Sequence, residues 1–292
     1  MNRLLGQSAT KVVLWDINQR VWHLHGPGAG IEGVRATEMD GWMFAPTRLI
    51  TSQGARQDGA TVLRSSRDPK TWDPTVFITS RTGTVRNFWS IHDAWFRGWS
   101  TDIPCTVGYF TRHNGWRFQQ VQLDGEPRPL NGMDPARNGG ASYEMSTIAP
   151  DPFERGLPES AVWVNSTGLG EGTLRVRNAA DQPAWPRYTM VGPGRYAIQD
   201  PAGGETLRMV ETPLLANGEE LRIDTHPRRR TARTYSAVNP TGVNAWPRLG
   251  GRRWLSPLPA WSSTDLLVRV TEGATLASAV RVDVDPKSSR PV

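Results

Sequence analysis

Cysteine is nearly missing from this chain: Cys105 stands alone in 292 residues. No disulfide can close within the chain, so the fold must be held by packing and by neighbouring molecules. Lysine is almost as scarce, with Lys11, Lys70 and Lys287 the only three among 34 basic residues. Long apolar runs are absent as well. No stretch approaches the ~20 apolar residues of a membrane-spanning helix, and Met-Asn-Arg-Leu-Leu-Gly-Gln lacks the apolar block of a secretory signal. A disulfide scaffold and a helical membrane protein are excluded, and the expected site of synthesis is the cytosol.

What the sequence does have is tryptophan and arginine. Thirteen tryptophans are many for this length, and indoles are enriched at buried interface anchors. The net charge of +6 and pI near 10.0 raise the question of a nucleic-acid or membrane partner. The distribution argues against both, because the arginines are scattered along strand-like segments rather than gathered into one face. The densest cluster, Arg228-Arg229-Arg230, lies beside Pro227 and Asp224 and reads as a solvated turn. Scattered arginines also serve protein interfaces, since the planar guanidinium pairs with carboxylates and stacks on rings.

Alternation of apolar and polar residues dominates and predicts half-buried strands. In the first half it marks 75–78, 106–110 and 116–123, with Asn114-Gly115 forming a tight hairpin turn between the last two. One helix is predicted over 86–99, where Phe88, Ile91, Trp95 and Trp99 share a face, Asn87 is available as cap and Gly98 stands near the stop. Glycine and proline then punctuate 131–158, which places a domain boundary there, with 142–148 as a last strand of the first domain. The second half shows nine short segments at 161–164, 174–177, 188–191, 195–199, 207–210, 221–224, 232–237, 266–270 and 280–284. Such spacing implies an antiparallel sandwich or jelly roll. The repeat of Ala-Trp-Pro-Arg at 184–187 and 245–248 suggests two equivalent strand entries. The fold class is therefore mostly β: residues 1–150 form a sandwich-like domain with one helix, and residues 151–292 an antiparallel β-sandwich of jelly-roll or galectin-like type.

Candidate chemistry is thin. Gly28-Ala29-Gly30-Ile31-Glu32-Gly33 spells the dinucleotide fingerprint, but Pro27 precedes it and no helical period follows, so the expectation is a flexible loop. His23 and His25 share one side of a strand without a third ligand at metal-binding spacing. His92-Asp93 cannot act as a triad pair, because adjacent helical residues point apart. There is no G-x-S-x-G turn, and Cys105 follows a proline without a neighbouring histidine. Glu38, Asp40, Asp151 and Glu154 leave a glycosidase pair open, since the required separation is spatial. No catalytic residue, cofactor or metal ligand is assigned, and the chain is read as a non-enzyme. Trp185, Trp246, Trp254 and Trp261 in the second half could stack on sugar rings or fill a core.

Four segments together resemble the distal tail (Dit-like) family, minor tail proteins of long-tailed bacteriophages. Ser142-Tyr143-Glu144-Met145-Ser146-Thr147-Ile148-Ala149-Pro150-Asp151-Pro152-Phe153 is similar to the strand and Asp-Pro-aromatic turn that close the family's first domain. Asn178-Ala179-Ala180-Asp181-Gln182-Pro183-Ala184-Trp185-Pro186 resembles the opening of a strand in its second sandwich. Leu221-Arg222-Ile223-Asp224-Thr225 and Asn239-Pro240-Thr241-Gly242-Val243-Asn244 follow in the family's order. The lysine-poor composition is similar to tail proteins of phages infecting GC-rich actinobacteria.

The resemblance implies a homo-oligomeric ring, usually a hexamer, in the virion at the tail tip, assembled in the host cytoplasm. Its partners would be the major tail tube protein, the tail hub or tail-associated protein, the tape measure protein and side fibres. DNA would pass through the lumen only in transit, and no membrane contact is implied. Trp89, Trp95 and Trp99 are the expected interface anchors, packing the first domain internally or against an adjacent subunit. The stretch up to Trp42 would suit an arm or loop at a subunit contact. Two other functions stay open: a carbohydrate-binding module of a tail fibre or baseplate, and a glycan hydrolase of the tail tip.

Overall fold

A computed structural model describes residues 10–130, 134–201 and 207–292. The chain divides into two compact units, residues 1–156 with 288–292, and residues 157–287. The sequence places the boundary after Pro150. It falls six residues later because Glu154–Arg155 still pairs as a strand with the first unit. The return of the last five residues to that unit carries no sequence signal.

The first unit contains β1 (Lys11–Trp15), β2 (Val21–His25), β3 (Val34–Asp40), β4 (Thr47–Ser52), β5 (Thr61–Arg67), β6 (Lys70–Thr71) and β7 (Asp73–Thr79) before helix α1 (Val85–Arg97). After the helix come β8 (Cys105–Thr111), β9 (Gly115–Leu123), β10 (Arg128–Pro129), β11 (Gly140–Glu144), β12 (Thr147–Ala149) and β13 (Glu154–Arg155). One sheet runs β2-β1-β8-β9-β12-β6, with β13 joining β9, and a second runs β10-β11-β7-β3. Both contribute to one core, which gathers Val12, Leu14, Trp22, Val107 and Tyr109 from the first sheet and Val34, Val76, Ile78 and Tyr143 from the second. The helix adds Phe88, Ile91 and Trp95 to it.

Three expectations change here. The helix cap is Thr84, whose hydroxyl accepts from the Asn87 backbone N–H at 3.2 Å, while the Asn87 side chain turns back to the Arg81 N–H at 2.7 Å. A β-region residue just before the first turn can aim its oxygen at an orphan N–H, whereas a residue inside that turn cannot. Residues 142–148 form two strands rather than one: β11 pairs with β7, and β12 pairs with β9 and β6. The stretch up to Trp42 is no free arm in its described part, since β1 lies inside the large sheet between β2 and β8. Residues 1–9 lie outside the described residues.

The turn of residues 112–114 joins β8 to β9, and Gly115, which opens β9 opposite Thr111, takes φ 69°. Gly108 on β8 has a different reason for being glycine. A Cβ there would approach Trp15 Cζ3 to 2.6 Å and Trp116 Cζ3 to 3.0 Å, so the two indoles require its absence. Trp15, Trp116 and Phe118 consequently pack together over the sheet, with ring centroids 5.8–6.0 Å apart.

The second unit is a sandwich of a six-stranded and a four-stranded antiparallel sheet. The six are β14 (Glu159–Val164), β16 (Arg187–Val191), β19 (Glu220–Asp224), β20 (Thr231–Tyr235), β21 (Val243–Asn244) and β23 (Ala279–Val284). The four are β15 (Glu171–Asn178), β17 (Arg195–Gln199), β18 (Met209–Glu211) and β22 (Ser262–Glu272). Alternation works as the sequence predicts: Val280, Val282 and Val284 are buried, and so are Leu174 and Val176. The two Ala-Trp-Pro-Arg copies are not equivalent. Arg187 opens β16, whereas Trp246–Leu249 is a single helical turn, α2, with proline in its first turn. Proline's fixed φ suits both a strand entry and a helix start, so the tetrapeptide does not choose between them. A final short strand, β24 (Lys287–Ser288), pairs with β13.

Candidate assembly surfaces

The first candidate surface is the β4–β5 hairpin. It forms a two-stranded sheet of its own, and only Ile50 and Ser66 along its strands are even partly covered. Leu49, Val62 and Leu63 are exposed by 57%, 56% and 63%. A lone two-stranded ribbon is marginal in water, and apolar side chains held out on one mark a contact with another molecule.

Helix α1 gives a second surface and sorts the three expected anchors. Trp95 is fully enclosed, edge-to-face with Trp22 at 5.4 Å and with Trp99 at 5.5 Å. Trp99 is buried too, stacked on Trp72 at 6.4 Å. Trp95 lies on the stripe that the helix presents to its own core, and Trp99, just past the helix end, joins the same core. Trp89 lies on the other side of the helix and is 38% exposed, against His92 at 5.1 Å.

Two polar pairs lie within the first unit. Glu154 is an interior residue whose carboxylate is paired with the Lys70 ammonium, both side chains fully covered. Burial raises the Glu154 carboxyl above its ordinary range against the opposing pull of Lys70 and Arg117, and burial lowers Lys70. The His23 Nδ1–H donates to Glu32 Oε1 at 2.7 Å, and its backbone N–H donates to Glu32 Oε2 at 2.9 Å. This ties down the loop 26–33, in which four glycines take positive φ. The loop expected to be flexible is thus pinned by its own acidic residue, and no helix follows it to receive a phosphate. Among the described residues, no group of three His, Cys, Asp or Glu side chains could hold a metal, and no helix is long and apolar enough to cross a membrane.

The four indoles of the second unit separate clearly. Trp254 is 2% exposed and stacks on Tyr188 at 4.5 Å, so it is a core residue and cannot serve as a sugar platform. Trp246 is half-buried on α2, and Trp185 is half-buried beside His226 at 6.3 Å. Trp261 is 65% exposed at the entry to β22. Sequence patterning missed the β4–β5 hairpin altogether, although Leu49, Ile50, Val62 and Leu63 between polar residues were the available signal.

Two β-rich units, the first carrying one helix and an exposed two-stranded ribbon, define a mostly β fold. No protein family and no curated protein matches the sequence. Solved structures do match. The Dit protein of phage SPP1, described as a paradigm of the hub adsorption apparatus in phages infecting Gram-positive bacteria, is 12% identical. The match covers 95% of this chain and 98% of that one, with a TM-score of 0.66. A chain of the phage P2 baseplate in its activated conformation is 10% identical over 97% of this chain and 99% of that one, with a TM-score of 0.55. The chain therefore has the fold of the phage Dit protein over nearly its whole length.

Proposed function

We propose that the chain is a distal tail protein, a structural part of the phage tail tip that forms a six-membered ring joining the tail tube to the baseplate hub. The β4–β5 hairpin carries this reading. It holds apolar side chains away from its own core, and a head-to-tail contact that closes by rotation would cover them on the next copy. Trp89 is the further anchor proposed for that contact. Obligate ring contacts bury large apolar areas, which accounts for leucine, valine and tryptophan standing exposed in the single chain.

The mass of the purified protein in solution, followed by negative-stain imaging, tests this. A closed ring of about six copies is expected. Leu49→Asp with Leu63→Asp should reduce it to monomers while the unfolding midpoint stays within about a degree or two, because both side chains are solvent-exposed. A ring that survives this double change removes the hairpin from the interface, and a wild-type monomer both alone and with tail tubes overturns the ring.

A further inference from the structure

Each sheet of the second unit has two edge strands, and three of these four edges are guarded. β18 and β21 are only three and two residues long, and β15 turns Glu171, Arg175 and Arg177 outward as exposed charges. Short or charged edges are how native sheets keep a further strand from adding. β14 has neither device. It runs six residues without a proline or a bulge and pairs with β23 alone among the described residues. Its solvent-side residues are Ser160, Val162 and Val164, with Val162 62% and Val164 49% exposed. The ladder fixes where its backbone points. The Asn165 N–H donates to the Ser278 carbonyl at 3.0 Å, one step beyond the pairing of Val164 with Ala279. Hydrogen-bonded residues alternate in an antiparallel ladder, so Glu159, Ala161 and Trp163 bond to β23, while the backbone of Ser160, Val162 and Val164 faces the open side. The Val164 carbonyl is taken up by the Ser166 N–H at 2.7 Å.

We propose that β14 pairs with β14 of a second copy, antiparallel about a two-fold axis at Val162, and so joins two six-stranded sheets edge to edge. The strand is self-complementary in that register. Val162 falls opposite Val162, Ser160 opposite Val164, and Ala161 opposite Trp163, so each indole meets an alanine. Glu159 falls opposite Asn165, and no charge meets a like charge. The open backbone groups of Ser160, Val162 and Val164 are the ones this register brings together, and β-branched pairs on the outer face suit a sheet. Any uncharged strand could add to such an edge; the two-fold match selects a second copy. A single pair of short strands buries less than the roughly 1,000 Å² of a lasting interface, so the pairing is reversible and grows with concentration. It is distinct from the head-to-tail contact proposed for the ring, and neither depends on the other.

Disulfide trapping, read by intact mass, tests the register in the full chain carrying Leu49→Asp and Leu63→Asp, which removes the hairpin contact. Cys105 is buried, so an added surface thiol is the reactive one. Val162→Cys sets two thiols directly opposite at a Cα spacing of about 5.5 Å, which a disulfide spans, and should cross-link on mild oxidation. Val164→Cys alone should cross-link at least about tenfold more slowly, because it faces Ser160 rather than itself. Mixed with Ser160→Cys, it should give the mixed dimer at the Val162→Cys rate. Val243→Cys, exposed on the short edge β21, supplies the background rate. Without added thiols, the sedimenting mass should rise from monomer towards dimer with concentration. Val162→Lys sets like charges opposite each other and should weaken that association at least about tenfold. The pairing is overturned by equal cross-linking at 162, 164 and 243, by a Val164→Cys homodimer that forms as fast as the Val162→Cys one, or by self-association that Val162→Lys leaves unchanged. A chain that stays monomeric at every concentration, with no cross-link at 162, overturns it as well.

Discussion

Lys70 and Glu154, 84 residues apart in sequence, form an ion pair in the first unit whose side chains are both fully shielded from solvent. Arg117, 7% exposed, lies within electrostatic reach of the same carboxylate and also donates to the Arg290 carbonyl at 2.7 Å. The carboxylate thus serves two buried cations, and one cation can be lost without leaving it unmatched. Glu154→Leu should destabilise the first unit by about 3–5 kcal/mol, the usual cost of leaving buried charge uncompensated. Lys70→Met should cost clearly less. Chemical denaturation of both variants decides this, and equal losses would mean that Arg117 does not share the carboxylate.

Trp95 and Trp89 occupy one helix with opposite fates. Trp95→Ala removes a fully buried indole in contact with Trp22 and Trp99, and should cost about 3–5 kcal/mol of stability. Trp89→Ala should change the stability of the single chain by no more than about 0.5 kcal/mol. Its effect should appear in assembly, as a lower proportion of large species by analytical ultracentrifugation. A normal proportion would exclude Trp89 from the contact.

Cys105 is an interior thiol. Burial pushes it up to about 12, with Asp16 adding to the effect, and its Sγ–H donates to the Gly98 carbonyl at 3.3 Å. The thiolate is the reactive form, so the native protein should resist alkylation at pH 8 and react promptly in denaturant. Fast native labelling, read by intact mass, would contradict the enclosed position.

His92 links helix α1 to β11, its Nε2 lying 2.9 Å from the Tyr143 hydroxyl. Burial pushes its imidazole below the ordinary value, outweighing Asp93. A base whose folded value is depressed binds fewer protons in the fold than in the unfolded chain. Its contribution is therefore complete above the unfolded value of about 6.5 and is lost as pH falls through the folded value. The wild-type unfolding midpoint should drop below pH 6.5 more steeply than that of His92→Gln. Parallel curves would show that His92 does not contribute.

The sequence by itself determined most strands of the second half. Eight of the nine segments read there fall on strands, with 195–199 matching to the residue, because a side-chain period of two survives wherever one face is buried; 207–210 is a strand only from Met209. The buried face of helix α1 and the β8–β9 hairpin were equally legible, since face and turn are local properties, whereas the cap fell on Thr84 rather than Asn87. Tertiary structure decided what local pattern cannot carry. Whether an indole is core or surface depends on which element lies over it: Trp254 is covered by Tyr188, and Trp261 by nothing comparable. The division of 142–148 between two sheets and the pairing of Lys70 with Glu154 both join residues distant in the chain. Each of these was set by which strands found one another, a choice made by burial of the whole core rather than by any short stretch of sequence.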